Sequence, residues 1–395
     1  MSDRNLFFRH LAQTSSFPLA MEIEKAEGLY LYGPDGQRYL DLISGISVSA
    51  IGHRHPRVVE AVKKQLDHYM HLMVYGELVQ TPQVELASLL AGHLPDTLDN
   101  VYLVNSGSEA VEGAIKLAKR YTGRTEIVSF VNAYHGSSHG ALSVTGNEGL
   151  KNAFRPLLPD VRHLPFNDTS RLSQISGQTA CVIVEPIQGE AGAIVPDATF
   201  MQALRKRCDE TGALMIMDEI QAGMGRTGKL WAFQHFDVVP DVLTLAKAMG
   251  GGMPLGAFIA AREIMQCLTE QPVLGHITTF GGNALCAAAA KASLEVILEE
   301  KLWDNAAAQE TLFRELLIHP RIQRVKGKGL LLAVEFENFS QNKAVIDRCI
   351  EKGLLTDWFL FAGNSMRIAP PLIIGAEEVT DSCHIILETL DEIPA

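Results

Sequence analysis

Residues 214–221 read Leu214-Met215-Ile216-Met217-Asp218-Glu219-Ile220-Gln221, four apolar side chains running straight into two carboxylates and an amide. A short, unbroken apolar run suits a strand covered on both faces, as in the interior of a parallel sheet. Five further runs share the form, at 101–104, 127–131, 181–184, 242–245 and 258–261. Amphipathic stretches at 110–121 and 198–210 are long enough to be crossover helices. Strands alternating with helices predict an α/β fold with a mostly parallel sheet. Only residues 250–256 and their flanks separate the last two runs, which leaves that pair open to a hairpin-like return.

The rhythm changes near residue 285. Residues 284–300 read as one long helix, and a second helical stretch reaches about 317. Residues 326–336 look like a single strand with a glycine-rich approach, followed by a helix over 343–352 and a strand at 366–369. The expected organisation is a large α/β domain over 51–284 and a smaller α+β unit over 285–395. Residues 1–50, with a turn at 33–36, are expected to pack on the smaller unit. The full chain of 395 residues is long enough for two or three such units.

Composition removes several function classes. Apolar residues make up 47% and charged residues 20%, the profile of a protein with a large core and not of a disordered or fibrous chain. Acidic residues outnumber basic ones, 46 to 34, for a formal charge of -12. That balance gives no global attraction to nucleic acid or to an anionic membrane, while leaving room for a local site for a small anion. The six cysteines form no C-x-x-C pair and read as reduced thiols. No apolar run approaches the ~18 residues of a membrane span, and the first residues lack a signal-peptide pattern. A soluble cytoplasmic protein is expected, with no nucleic acid or membrane partner.

In open α/β sheets, ligands sit beyond the carboxyl ends of the strands. The residues following the runs are Asn105-Ser106-Gly107-Ser108-Glu109, Asn132-Ala133-Tyr134-His135-Gly136, Glu185-Pro186-Ile187-Gln188-Gly189-Glu190, Asp218-Glu219-Ile220-Gln221 and Ala246-Lys247. One such group is a strand cap; five together point to a site. Ser106 to Glu109 fits a capping box, Ser106 at the cap and Glu109 reaching back, and a helix start there offers free amides to a phosphate at Gly107 and Ser108. Asp218 at the end of an apolar run needs a cationic or hydrogen-bonding partner. Lys247 in similar surroundings has the makings of a Schiff-base nucleophile, or of a lysine that merely reaches out to solvent.

Two patterns are set aside. Gly223-Met224-Gly225-Arg226-Thr227-Gly228 fits the dinucleotide fingerprint G-x-G-x-x-G, yet residues 218–221 intervene after the strand and no helical face follows. His53 and His55 lie two apart with no third ligand implied, so they read as structural and no metal is expected.

Together these motifs resemble the class III, pyridoxal-phosphate-dependent aminotransferases of fold type I, along nearly the whole chain. The resemblance rests on Gly52-His53, His55-Pro56, residues 105–110, Tyr134-His135-Gly136, residues 185–190, Asp218 to Gln221, residues 225–228, Lys247, residues 279–283 and residues 367–372. It is closest to the acetylornithine, ornithine and 4-aminobutyrate aminotransferase branch. The resemblance implies that Lys247 carries pyridoxal 5'-phosphate through a Schiff base and moves the proton, and that Asp218 pairs with the cofactor's ring nitrogen. It further implies that Gln221 bonds the ring hydroxyl, Tyr134 stacks on the ring, Gly107 and Ser108 hold the phosphate, and Glu185 belongs to the cofactor site. Thr279 would reach the phosphate from the other subunit of a homodimer. Arg367 would fork onto a substrate carboxylate with Glu190 as its acidic gate, and Thr278 and Ser137 would border the substrate.

One position departs from the branch. Tyr134-His135-Gly136 is followed by Ser137, where those relatives usually carry an arginine for a second carboxylate. The expected function is transfer of an amino group from an acetylornithine-, ornithine- or ω-amino-acid-like donor to a keto acid, 2-oxoglutarate or pyruvate, by a ping-pong mechanism. A racemase, mutase or decarboxylase on the same fold is the alternative, since Lys247 and Asp218 serve those chemistries too.

Overall fold

The structure is a computed structural model describing residues 2–393. Its centre is a seven-stranded sheet. After three short strands near the N-terminus, β1 (Lys25–Glu27), β2 (Tyr30–Tyr32) and β3 (Arg38–Asp41), come β4 (Asn100–Val104), β5 (Glu126–Phe130), β6 (Val161–Leu164), β7 (Thr179–Val184), β8 (Leu214–Asp218), β9 (Val242–Leu245) and β10 (Gly256–Ala260). These last seven lie in the order β4-β10-β9-β8-β7-β5-β6. All pairings from β9 through β6 are parallel, and β10 runs antiparallel to both β9 and β4. The return between the last two apolar runs is therefore a reversal within the sheet.

Every residue of β7, β8, β9 and β10 is buried, as strands sandwiched between helices must be. On one side, helix Gly107–Thr122 lays its Ala110, Ala114, Leu117 and Ala118 face on the sheet, and Gly113 lets Phe258 approach, since a Cβ there would sit 2.3 Å from the ring. The opposite face packs into a larger core shared with helices Ala198–Thr211 and Ala284–Glu299. The sequence reading missed β6, and with it the sheet's edge.

The C-terminal part holds β11 (Arg324–Lys328), β12 (Leu331–Glu335), β13 (Leu354–Leu355), β14 (Trp358–Phe359) and β15 (Ala362–Ile368). Residues 326–336, read as one strand, are a hairpin of β11 and β12. Gly329 makes the turn with φ +58, and a Cβ there would come within 2.5 Å of the Arg226 carbonyl oxygen. The small sheet runs β11-β12-β15-β14, while β13 pairs in parallel with β3 of the N-terminal segment. The glycine-rich stretch 223–228 forms turns, not a helix start. Its Arg226 is buried and donates to the carbonyls of Leu330 and Pro370, tying the large sheet's loops to the small unit. His53 lies 2.8 Å from Asp41, and His55 caps helix Pro56–Leu66.

Candidate active site

A cavity of about 490 Å³ opens where β4, β5, β7, β8 and β9 end, lined among others by Gly107, Ser108, Tyr134, Glu185, Asp218, Gln221 and Lys247. Residues far apart in sequence converge here because the parallel strands all point their carboxyl ends the same way.

At the end of β4 the chain turns into helix Gly107–Thr122. Ser106 Oγ accepts the Glu109 amide at 3.2 Å, as a cap should. The return bond differs from expectation: Glu109 Oε2 accepts from the Asn105 amide (2.7 Å) and Asn105 Nδ2 (2.8 Å), one residue earlier than a capping box requires. The first-turn amides of Gly107 and Ser108 face the cavity with the positive end of the helix dipole. At Gly107 a Cβ would come within 2.9 Å of the end of the Ile220 side chain, which would have to shift.

Beyond β5, Gly136 has φ +124, and a Cβ there would lie 2.2 Å from Ser108 Oγ. That close approach seats the 134–137 loop on the helix start, where Ser137 donates its amide to Ser108 Oγ at 3.2 Å. The Ser137 side chain is exposed. Tyr134 lies against the cavity; burial raises its pKa, and the charges of Glu190 and Asp218 raise it further. His135 reaches across β7 to Asp218: Nδ1 is 2.7 Å from Oδ2. Asp218 is 4% exposed and His135 2%. The other carboxylate oxygen accepts the Ile220 amide at 3.1 Å, so the partner that the buried Asp218 required is a histidine and a backbone amide.

Lys247 follows β9 at the start of a short 3-10 turn, with φ +47. Left-handed backbone at a non-glycine residue costs on the order of 1 kcal/mol and is found most often where function fixes the geometry. Burial lowers the lysine's pKa; the charge of Glu190 opposes that and Arg367 reinforces it. A lysine amine that loses its proton more easily than usual is a better nucleophile and base.

Glu185, ending β7, accepts the Tyr134 amide (3.1 Å) and the Gly189 amide (3.0 Å), and burial pushes its pKa up to about 7. Gln221 packs on Gly189, where a Cβ would sit 2.2 Å from Gln221 Oε1. Its buried Nε2 has no hydrogen-bond partner among the described residues, nor has His135 Nε2.

Next to Lys247, Arg367 and Glu190 form a two-pronged ion pair, Nη1 to Oε1 at 3.0 Å and Nη2 to Oε2 at 3.1 Å. Burial alone would raise the Glu190 pKa, but the Arg367 guanidinium outweighs it and holds the carboxyl below its ordinary value. Thr278 Oγ1 accepts Asn105 Nδ2 at 3.2 Å. Thr279 is exposed on the neighbouring loop and does not border this cavity. Sequence reasoning assigned no role to His135 or Asp357. The first sat inside a quoted motif, whereas nothing local marked the second.

An anion-binding helix start with glycine at its mouth, a buried carboxylate, an unpaired buried amide and a depressed lysine amine suit a phosphorylated pyridine aldehyde. Such a donor set on this sheet suits a pyridoxal-phosphate-dependent enzyme.

The comparisons narrow the class. Residues 11–390 match the family model for class III aminotransferases, and the chain belongs to that family. Its cofactor is pyridoxal 5'-phosphate. It is 40% identical to the acetylornithine aminotransferase of Methanopyrus kandleri, over 96% of each chain. It is 39% identical to the [LysW]-aminoadipate semialdehyde/glutamate semialdehyde transaminase of Sulfolobus acidocaldarius, over 94% of this chain and 95% of that one. Among solved structures, the ornithine aminotransferase of Toxoplasma gondii superposes with a TM-score of 0.90 at 31% identity, covering 98% of this chain and 94% of the other. Among the described residues no helix is long and apolar enough to cross a membrane.

Proposed function

We propose that this aminotransferase moves the amino group of an acetylornithine-, ornithine- or ω-amino-acid-like donor to 2-oxoglutarate or pyruvate, in alternating half-reactions at one site. The observation that carries this reading is the buried Arg367–Glu190 pair beside Lys247. A guanidinium neutralised by a movable internal carboxylate accommodates a substrate carboxylate when Glu190 yields and a carboxylate-free end when it does not. Two unlike substrates need such a site; a racemase or decarboxylase acting on one substrate does not. The names of the relatives support the donor class.

Pyridoxal phosphate supplies an aldehyde that takes up the amino group and a ring that draws electrons from the carbon losing its proton. The chain's residues do the rest. Gly107 and Ser108 would hold the phosphate at the helix start, Tyr134 would lie beside the ring, and Gln221 would serve a ring oxygen. Asp218, oriented by His135, would be the partner of the ring nitrogen. Lys247 would be the group that anchors the cofactor and the base and acid that moves the proton of the substrate Cα. Glu185 fixes the 134 and 189 amides that shape the wall, and Thr278 and Ser137 border the substrate.

The active unit in this reading is a homodimer in the cytoplasm. Exposed apolar side chains at Met70, Met73, Val79, Val273, Ile277 and Phe280 lie on the segments around the Thr278–Thr279 loop, the kind of surface that a partner would cover. The patch adjoins the phosphate site through the Thr278–Asn105 bond, so a second copy docked there would bring Thr279 to the partner's cavity. The residue ranges 1–50, 51–284 and 285–395 are our proposed units. The deciding experiment is a panel of amino donors and keto acids, each mixed singly with holoenzyme. The cofactor absorbance should bleach with acetylornithine or ornithine and recover with 2-oxoglutarate or pyruvate; no response to either set would refute the assignment.

A further inference from the structure

Arg367 is held on every side, yet Glu190 supplies only two of its contacts. Its Nε donates to Asp357 Oδ1 at 2.8 Å. The guanidinium carbon lies 4.4 Å from the centre of the Phe359 ring, and Nη2 is 3.4 Å from the Trp358 carbonyl oxygen. The backbone of the same segment is locked as well: the Arg367 amide donates to the Asp357 carbonyl at 2.8 Å, and Thr356 Oγ1 donates to the Arg367 carbonyl at 2.6 Å. Thus residues 356–359, pairing with β15, grip the arginine from its Nε edge and its face. The two Nη atoms are left pointing end-on at Glu190.

The arginine is 2% exposed. Between the withdrawal of Glu190 and the arrival of a substrate carboxylate, a buried guanidinium without a counter-ion would be costly. It would also be free to turn. Asp357 removes both difficulties, because its bond to Nε does not compete for the Nη fork. Glu190, in contrast, has an alternative hold on the 358–361 hairpin, where the Leu360 amide donates to Oε2 at 3.1 Å.

We propose that Asp357 is a positioning residue for the carboxylate site. It serves as the permanent counter-ion that fixes the Arg367 fork, so that Glu190 is the only moving part when acceptor replaces donor. The inference rests on the reading of Arg367 given under the proposed function. Asp357 is negative, so an opposite sign is conceivable on charge alone: it could compete with the incoming carboxylate. Geometry decides against that, since Oδ1 engages the Nε edge, whereas a carboxylate taking the place of Glu190 would use the two Nη atoms end-on.

The test compares holoenzyme carrying D357A, D357N or R367K with wild type in the acceptor half-reaction. Two probes are used: 2-oxoglutarate, and propanal, which has no carboxylate. D357A should raise the ratio of KM for 2-oxoglutarate to KM for propanal about tenfold, the worth of one charge-assisted hydrogen bond, with kcat falling much less. D357N, whose amide oxygen still accepts from Nε, should recover part of the loss and covers the case in which D357A folds poorly. A lowered ratio would make Asp357 a competing anion, and an unaltered one would leave Phe359 and Trp358 holding the fork alone; either overturns the proposal. R367K separates the two levels. If it leaves the ratio untouched, the reading of Arg367 fails; if it raises the ratio and D357A does not, only the role of Asp357 fails.

Discussion

His135 Nδ1 lies 2.7 Å from Asp218 Oδ2, a buried bond spanning two strands that are not neighbours in the sheet. With the Ile220 amide on its other oxygen, Asp218 is oriented from both sides where it lines the cavity. D218N should bind the cofactor yet turn over at least ~10²-fold more slowly, because an amide cannot stabilise a protonated ring nitrogen, and losing a preorganised electrostatic partner typically costs ~2.7 kcal/mol or more. H135F leaves only the backbone amide and should have a smaller effect in the same direction. Near-normal kcat in D218N would contradict the assignment.

Lys247 combines a left-handed backbone with a pKa lowered mainly by burial. K247A should lose borohydride-stable attachment of the cofactor to the chain, and peptide mapping of the reduced wild type should find it at Lys247 alone. The neutral amine is the attacking form, and a lowered pKa means it predominates at lower pH. The rate of cofactor attachment to the apoprotein should therefore level off below the usual lysine range near 10.5. A rate still climbing through that value would show an ordinary lysine.

The interior of the sheet was legible because β7 to β10 are buried throughout and nearly all their residues are apolar. β6 was not: Val161-Arg162-His163-Leu164 sits at the edge, and its half-exposed pattern carries no such run. The 326–336 hairpin was hidden for a different reason: β11 reads Arg324-Val325-Lys326-Gly327-Lys328, with no apolar run of its own, so it passed for a glycine-rich approach to β12. Residues at strand ends announced themselves by interrupting apolar runs. His135 and Asp357 act on partners 83 and 10 residues away through side-chain geometry, which no local spacing encodes.

Glu185 gives the apoprotein a pH signature. Burial raises its pKa from 4.5 to about 7, so between those values the folded state holds a proton that the unfolded state has released. Its contribution to stability is then complete below pH 4.5 and disappears as pH rises through about 7, an effect of at most ~3 kcal/mol. Denaturant titrations of apo wild type and E185Q at pH 5 and pH 8 test this: wild type should lose more stability than the variant between the two. Equal losses would place the Glu185 carboxyl at its ordinary pKa.

Assembly should be visible in solution. The apolar patch around Phe280 predicts at least a dimer in sedimentation, and F280E should weaken it together with cofactor retention, since Thr279 would no longer reach its partner's cavity. A fully active monomer at assay concentration would rule the shared site out.

Ser137 follows Gly136, which lines the cavity, and is itself exposed, with its amide on Ser108 Oγ. A serine donates one neutral hydrogen bond where an arginine would supply a charge, and a charged hydrogen bond is worth roughly 1.5–3 kcal/mol, or about 10- to 150-fold in affinity. In the proposed reading Arg367 takes one substrate carboxylate, so a diacid would gain little from its second one here. Pyruvate should therefore compete with 2-oxoglutarate better than in relatives carrying arginine. Because the Ser137 side chain is exposed and its bond runs through the backbone amide, S137R should fold and should shift kcat/KM toward 2-oxoglutarate. Measuring both acceptors with both proteins decides it: a wild type already strongly selective for 2-oxoglutarate, and indifferent to the substitution, would mean that another cation holds the second carboxylate.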